Sequence, residues 1–507
     1  MNSPLLVLNH SRIDDQFLSI PFDLIADTAI TTATKAGATW ADVRIESGRD
    51  GGVALHDCEL ETAWDYPSIA LGVRVIVDGA WGFASDPVIS EVGARRAAIK
   101  AVKIAKLSRA LTNRKVELAD APVIGRAQWS SSWVVDPFTV SEREKIDLFA
   151  QWSDGLMREG ADHVDATCNY ILENKFYGDV TGNHIIQQRM RIESELTATI
   201  ISDDGKFTSL STLAAPTARG YEWMTDGSHD WEKELAELPS ILKEKAKAPG
   251  VKPGKYDIVI DPTNLWLTIH ESIGHATELD RILGYETNYA GTTFVTLNDI
   301  NTLKYGSGLL NITGDRSTPY GLSTIGFDDE GVMPESFSLI SNGVLANVQS
   351  DRSSAAAAGF PYSNGCAYAE GADSVPLQRM PNISMQHNEN GPDLQALIGG
   401  VENGLYIKGD DSWSIDMQRK NFQFTGQQFW RIEQGKITNQ VNDAAYQSTT
   451  PEFWGSLTEV GNQSTYKLNG ALNCGKGQPG QGAPVSHGAP AARFNQINII
   501  NTAEDQK

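Results

Sequence analysis

The sequence has no run of about 18 apolar residues, so no helix is expected to cross a membrane. Its four cysteines, Cys58, Cys168, Cys366 and Cys474, are widely scattered and form no CxxC pair. That argues against a disulfide framework and suits a reduced, cytoplasmic protein. Positive charge is scarce as well: 42 Lys and Arg stand against 64 Asp and Glu, for a net charge of −22 with no basic run. A surface that tracks nucleic-acid phosphates needs clustered Lys and Arg, so direct nucleic-acid binding is not expected. The stretch from Met1 to Phe17 carries a short apolar patch, Leu5 to Leu8, but no basic flank or small-residue cleavage site, and is not read as a signal peptide. There is no G-x-S-x-G elbow and no internal repeat. Gly475-Lys476-Gly477 is followed by Gln478, which breaks the phosphate-loop pattern.

At 507 residues with 40% apolar content, the chain can hold two or three globular cores. A Lys-rich helix end and a Pro/Gly-rich connector, residues 242 to 254, divide it near residue 248. Residues 1–248 mix helical patterns (22–36, 89–110, 141–159) with strand patterns (40–47, 68–84, 163–212), the second interrupted by an Asp78-Gly79 hairpin turn. This predicts an N-terminal α+β domain. Residues 249–507 read mainly as short strands, with hairpins turning at Asn342-Gly343 and Gln434-Gly435 and short helices near 351–359 and 393–399. A β-rich, barrel-like C-terminal domain carrying one motif helix is expected.

Histidine is sparse too, at nine residues, yet two of them fall within the six-residue stretch His270-Glu271-Ser272-Ile273-Gly274-His275. Imidazole is the commonest zinc ligand, and a glutamate beside such a pair is the usual base for activating a metal-bound water. The flanks predict a helix. Tyr256 to Ile260 reads as a buried strand, Asp261 as an N-cap, Pro262 as a first-turn residue and Gly284 as a stop. Leu265, Ile269 and Ile273 would face a core. The common protease motif has its histidines at i and i+4, about 40° apart around a helix; an i, i+5 pair diverges by about 140°. The helix must therefore bulge or end between them, and the expected place is Ile273-Gly274, where glycine tolerates unusual backbone angles.

Two histidines need at least one more protein ligand. Cys474, His487, Glu278 and Asp280 are candidates. Cys474 opens a stretch so rich in Gly and Pro that it reads as a loop, either anchored by a thiolate on zinc or trailing from an inert cysteine. Phe327-Asp328-Asp329-Glu330-Gly331 reads as an acidic turn between strands, although its carboxylates could also shape a cleft.

Taken together, His270-Glu-Ser-Ile-Gly-His275 with Glu278, the Phe327-Asp-Asp-Glu-Gly331 segment, Cys474-Gly-Lys-Gly-Gln through Pro484-Val485, and the early segments Ala41 to Arg44, Leu71 to Arg74 and Gly79 to Ala84 resemble the TldD/PmbA family, in its TldD-like, catalytically competent branch. The resemblance spans roughly residues 30–500. It implies a zinc metallopeptidase in which His270, His275 and Cys474 bind the metal and Glu271 is the general base. It also implies unfolded proteins or peptides as substrates, and a homodimer or a heterodimer with a PmbA-like paralogue. Two alternatives stand beside it: a metal-dependent hydrolase of a non-peptide bond, and a non-catalytic partner subunit.

Overall fold

A computed structural model describes residues 6–8, 13–477 and 479–503; Leu5 of the N-terminal apolar patch and Gln478 of the cysteine motif lie outside them. The first half is built on an eight-stranded sheet: β1 (Leu6–Leu8), β2 (Trp40–His56), β3 (Glu59–Val77), β4 (Ala80–Asp86), β5 (Arg126–Ser130), β6 (His163–Asp179), β7 (His184–Ile201) and β8 (Phe207–Ser211). The order is β1-β5-β7-β6-β2-β3-β4, with β8 paired to β7; β1, β5 and β7 run parallel and the remaining pairs antiparallel. Asp78 and Gly79 both take positive φ between β3 and β4, as a two-residue hairpin turn requires.

Two helices cover one end of this sheet. Helix α1 (Phe22–Lys35) buries Ile25, Ala26, Ala29 and Ala33, and α2 (Glu91–Ser108), capped by Ser90, buries Ala94, Ala97, Ala98, Ala101 and Ala105. The alanine face explains the close fit: a Cβ on Gly82 of β4 would come within 2.1 Å of the Ala101 carbonyl. At the other end α3 (Glu142–Arg158) and α4 (Trp231–Lys247) pack Phe149, Leu156, Trp231, Leu238 and Leu242 against Tyr170, Ile192 and Leu196.

After α4 the chain enters β9 (Gly254–Ile260), followed much later by β10 (Asn403–Ile415), β11 (Asn421–Glu433), β12 (Ala444–Thr449) and, at the end, β15 (Ala492–Asn501). The path β10-β9-β15-β12-β11 closes on itself because β11 also pairs with β10. These strands form the expected barrel. Its packing includes Ile258, Ile260, Leu405, Ile407, Phe422, Phe424, Tyr446 and Phe494, and Leu265, Ile269 and Ile273 of the following helix join the same cluster at 0% exposure. The hairpins expected at Asn342-Gly343 and Gln434-Gly435 are present, as are helices at Arg352–Ala358 and Leu394–Gly399. Among the described residues no helix is long and apolar enough to cross a membrane.

The Cys474 stretch corrects the sequence reading. It is a hairpin, β13 (Lys467–Lys476) and β14 (Gln481–Ala489), and not a loop. Its glycines permit close approach: a Cβ on Gly470 would lie 2.1 Å from the Val485 carbonyl. The Phe327 to Gly331 segment is a turn, as expected, with Gly331 at φ +73°, but a buried one. Glu330 pairs with Arg74 at 3.1 Å and Asp329 with Lys175 at 2.9 Å, tying this turn to the first sheet.

Candidate metal centre

The site begins with helix initiation. The Asp261 side chain accepts from the Thr263 amide at 3.0 Å, and Pro262 occupies the first turn of α5 (Pro262–Ile269). Regular α-helical bonding stops at Ile269. His270–Gly274 is a π-helical turn in which the His275 amide donates to the His270 carbonyl, and His275–Thr277 continues as a 3₁₀ turn. The distortion required by the i, i+5 spacing is therefore real, but it spans the whole motif and is not confined to Ile273-Gly274. Its displaced carbonyls are satisfied from outside. Tyr305 Oη donates to the Ser272 carbonyl, Gln349 Nε2 to that of Gly274 at 2.6 Å, and Thr277 Oγ1 to that of Ile273 at 2.7 Å. Gly274 lets Met380 pack close: a Cβ there would meet Met380 Sδ at 2.6 Å and push that side chain aside.

The extra residue turns His275 back toward His270, with ring centroids 4.8 Å apart. Cys474, delivered by β13, places its Sγ 3.6 Å from His275 Nε2. One donor atom from each of His270, His275 and Cys474 lies within 4.8 Å of the others, and all three residues are buried.

Hydrogen bonds behind the histidines assign their tautomers. A carbonyl only accepts, so His487 Nδ1, 3.0 Å from the Ile383 carbonyl, carries a proton. Burial, reinforced by His270, holds His487 well below the usual histidine range, so it is neutral and its Nε2 accepts. His270 Nδ1, 2.7 Å away, then donates, leaving His270 Nε2 as a free lone pair. His275 Nδ1 likewise donates to Glu278 Oε2 at 2.9 Å, leaving Nε2 toward Cys474. Glu278 is held ionised against burial by Lys476 at 3.0 Å, His275 and Arg281. Lys476 in turn binds Asp280 at 2.8 Å. Of the four candidates for a further ligand, only Cys474 joins the histidine pair; His487 and Glu278 stand behind the rings and Asp280 one layer further out.

The electrostatics suit a cation. Burial pushes the Cys474 thiol up, but His275 and Arg379 outweigh it and bring it below the ordinary thiol value, toward thiolate. Burial lowers His270, keeping it neutral. Two imidazoles and a thiolate are a donor set that zinc accepts, and three protein ligands leave a fourth position open. Glu271 follows His270 directly. Burial opposes its charge, but His275, His270 and Arg419 keep it below the usual carboxylate range. Arg419 pairs with Glu271 through Nη1.

A cleft of about 930 Å³ opens beside this centre, lined by Glu193 and Phe207 from the first sheet and by Trp266, Trp413, Gly470 and Ala471 from the second half. The Trp266 ring lies 6.2 Å from His270. A second His/Asp group, His56, Asp57 and His163, sits at the β2–β3 turn, and its nitrogens are engaged with Asp57 and Asp165. Sequence reasoning missed Arg379, Arg419 and the role of Lys476. Arg419 is separated from Glu271 by 148 positions and carries no local signal; Lys476, inside a broken phosphate-loop pattern, gives no hint of Glu278, 198 positions away.

Comparison with known proteins agrees across the chain. Residues 253–501 match the PmbA/TldA metallopeptidase C-terminal domain, and residues 41–105 match domain 1 of the same family. A metalloprotease of Methanothermobacter thermautotrophicus is 27% identical over 469 residues, 91% of this chain and 96% of that protein. A zinc metalloprotease TldD homolog of Saccharolobus solfataricus is 25% identical over 311 residues, 60% of this chain and 64% of that protein. The crystal structure of TldE from Thermococcus kodakarensis superposes with a TM-score of 0.68 at 15% identity, covering 93% of this chain and 99% of that one, a likeness of fold.

Proposed function

The chain belongs to the PmbA/TldA metallopeptidase family, and from that premise we propose that it is a zinc-dependent peptidase acting on unfolded proteins or peptides. The observation that carries this reading is the convergence of His270, His275 and Cys474, with Glu271 beside them. In it, residues 249–507 form the metallopeptidase domain and residues 1–248 an α+β domain that helps wall the cleft. The zinc metalloprotease relative supports the choice of metal.

Zinc, when bound, would acidify a water and polarise a carbonyl held at the fourth position. The chain's own residues supply the rest. His487 and Glu278 orient the two ligand rings through their Nδ1 protons. Glu271, kept ionised, takes one proton from the attacking water as its oxygen bonds to the scissile carbon and the carbonyl electrons move onto oxygen. The same proton then passes to the leaving nitrogen as the C–N bond breaks, giving an acid and an amine. The cleft between Phe207 and Trp413 has room for an extended peptide, and its Trp266 and Trp413 side chains reach His270 and Glu271. Four free cysteines support a reduced, cytoplasmic setting. Assembly as a homodimer, or as a heterodimer with a PmbA-like paralogue, is part of the same proposal and rests on family membership alone.

The test is incubation of the purified chain with an unfolded polypeptide and a length-matched ester, with fragments read by mass spectrometry. Peptide cleavage is expected, abolished by a chelator and restored by added zinc. Ester cleavage alone would favour a non-peptide hydrolase. Inactivity alone, with activity restored by a paralogue, would mark a subunit that needs its partner.

A further inference from the structure

Arg419 lies at the tip of the β10–β11 hairpin, in the turn Asp416–Lys420. Its backbone is in the left-handed region at φ +59°, an uncommon conformation for a residue with a side chain. The turn is fixed from several sides. Asp416 accepts from the amides of Gln418 at 3.1 Å, Lys420 at 2.8 Å and Asn421 at 3.1 Å. Thr450 Oγ1 donates to the Arg419 carbonyl at 2.8 Å, and the Thr292 and Phe294 amides donate to Met417 and Gln418 at 2.8 and 2.9 Å. The backbone is thus anchored while the side chain reaches the metal centre.

That side chain is only 14% exposed. Its Nη1 donates to Glu271 Oε2, and its buried Nε has no hydrogen-bond partner among the described residues. A buried N–H without a partner costs on the order of 1–3 kcal/mol. The Glu271 carboxylate beside it is where the attacking water is deprotonated in the reading given above, and the scissile carbonyl must sit within reach of that water. Arg419 therefore sits beside the carboxylate from which negative charge moves during the reaction, with its guanidinium still partly exposed.

Resting on the peptidase reading, we propose that Arg419 is a further catalytic residue, binding the scissile carbonyl oxygen and stabilising it as it becomes an oxyanion. As a proton moves from water to Glu271, one unit of negative charge moves from the carboxylate to that oxygen. A guanidinium touching both positions can follow it without a rearrangement of the fold.

The experiment compares wild type, Arg419→Gln and Arg419→Lys. It reads zinc content, thermal melting, kcat and KM on a peptide, and the Kd of a phosphinic peptide that imitates the tetrahedral geometry. Arg419→Gln is expected to lower kcat and weaken phosphinate binding by about 10²–10³-fold each, with KM within a few-fold and zinc and melting unchanged. Arg419→Lys, which keeps the charge but loses the fork, should recover only part of this. Unchanged phosphinate affinity in Arg419→Gln would overturn the proposal. So would loss of zinc or of melting temperature in both variants, which would assign Arg419 a structural role. A wild-type chain that binds no zinc and cleaves nothing would fail at the peptidase reading instead, and the phosphinate Kd keeps the two failures apart.

Discussion

Glu271→Gln is expected to lower kcat/KM on an unfolded peptide by about 10²–10⁴-fold while leaving zinc content and melting temperature unchanged. The substitution is nearly isosteric. The glutamine oxygen can still accept from Arg419 Nη1, so the ion-pair partner keeps a hydrogen bond. What is lost is the ability to take a proton. The carboxylate is buried to 8% exposure yet held ionised by two histidines and a guanidinium. Keeping a buried carboxylate charged is costly unless the charge is used or compensated. Steady-state kinetics with zinc analysis decides the matter: activity within a few-fold of wild type would remove Glu271 from the reaction.

Lys175→Met is the largest stability effect expected, about 3–5 kcal/mol. Lys175 Nζ lies 2.9 Å from Asp329, 3.2 Å from Glu46 and 3.5 Å from Glu173, and all four side chains are 6% exposed or less. Burial disfavours the Lys175 charge, but these carboxylates outweigh it and raise its affinity for a proton. Removing the ammonium leaves Asp329 with Arg44 at 3.9 Å as its remaining ion-pair contact among the described residues. Because Asp329 belongs to the turn that ties the second half of the chain to the first sheet, the loss should also loosen that junction. Lys206→Met is the control: Lys206 is 57% exposed and 3.9 Å from Asp443, a pair of the kind worth little. Denaturant melts of the two variants should differ by several kcal/mol, and similar midpoints would contradict the account.

The sequence carried the local signals well. Asp261 and Pro262 announced a helix start, Leu265, Ile269 and Ile273 its buried face, and the i, i+5 histidines a distortion that proves to be a π turn. Asn342-Gly343 and Gln434-Gly435 announced hairpins because positive φ is needed there. What misled was glycine near Cys474. Glycine marks flexibility in a solvated loop and close approach in a packed hairpin, and composition cannot tell these apart; the Gly470 contact with Val485 decides for packing. Strand lengths were also understated. β2 and β3 run to 17 and 19 residues because their pairing continues past the buried stretch into a half-buried part of β2 and an exposed part of β3, where the apolar pattern fades. The partners of distant charge were invisible. Glu330 finds Arg74 across 256 positions and Lys476 finds Glu278 across 198, and no pattern along the chain encodes such meetings.

The central claim is that His270, His275 and Cys474 hold one zinc ion. Elemental analysis of the zinc-reconstituted chain and of Cys474→Ala tests it most directly. The account predicts about one zinc per wild-type chain and a sharp fall in the variant, since removing one of three protein ligands leaves two. No metal in the reconstituted wild type, or full zinc retained without Cys474, would contradict it.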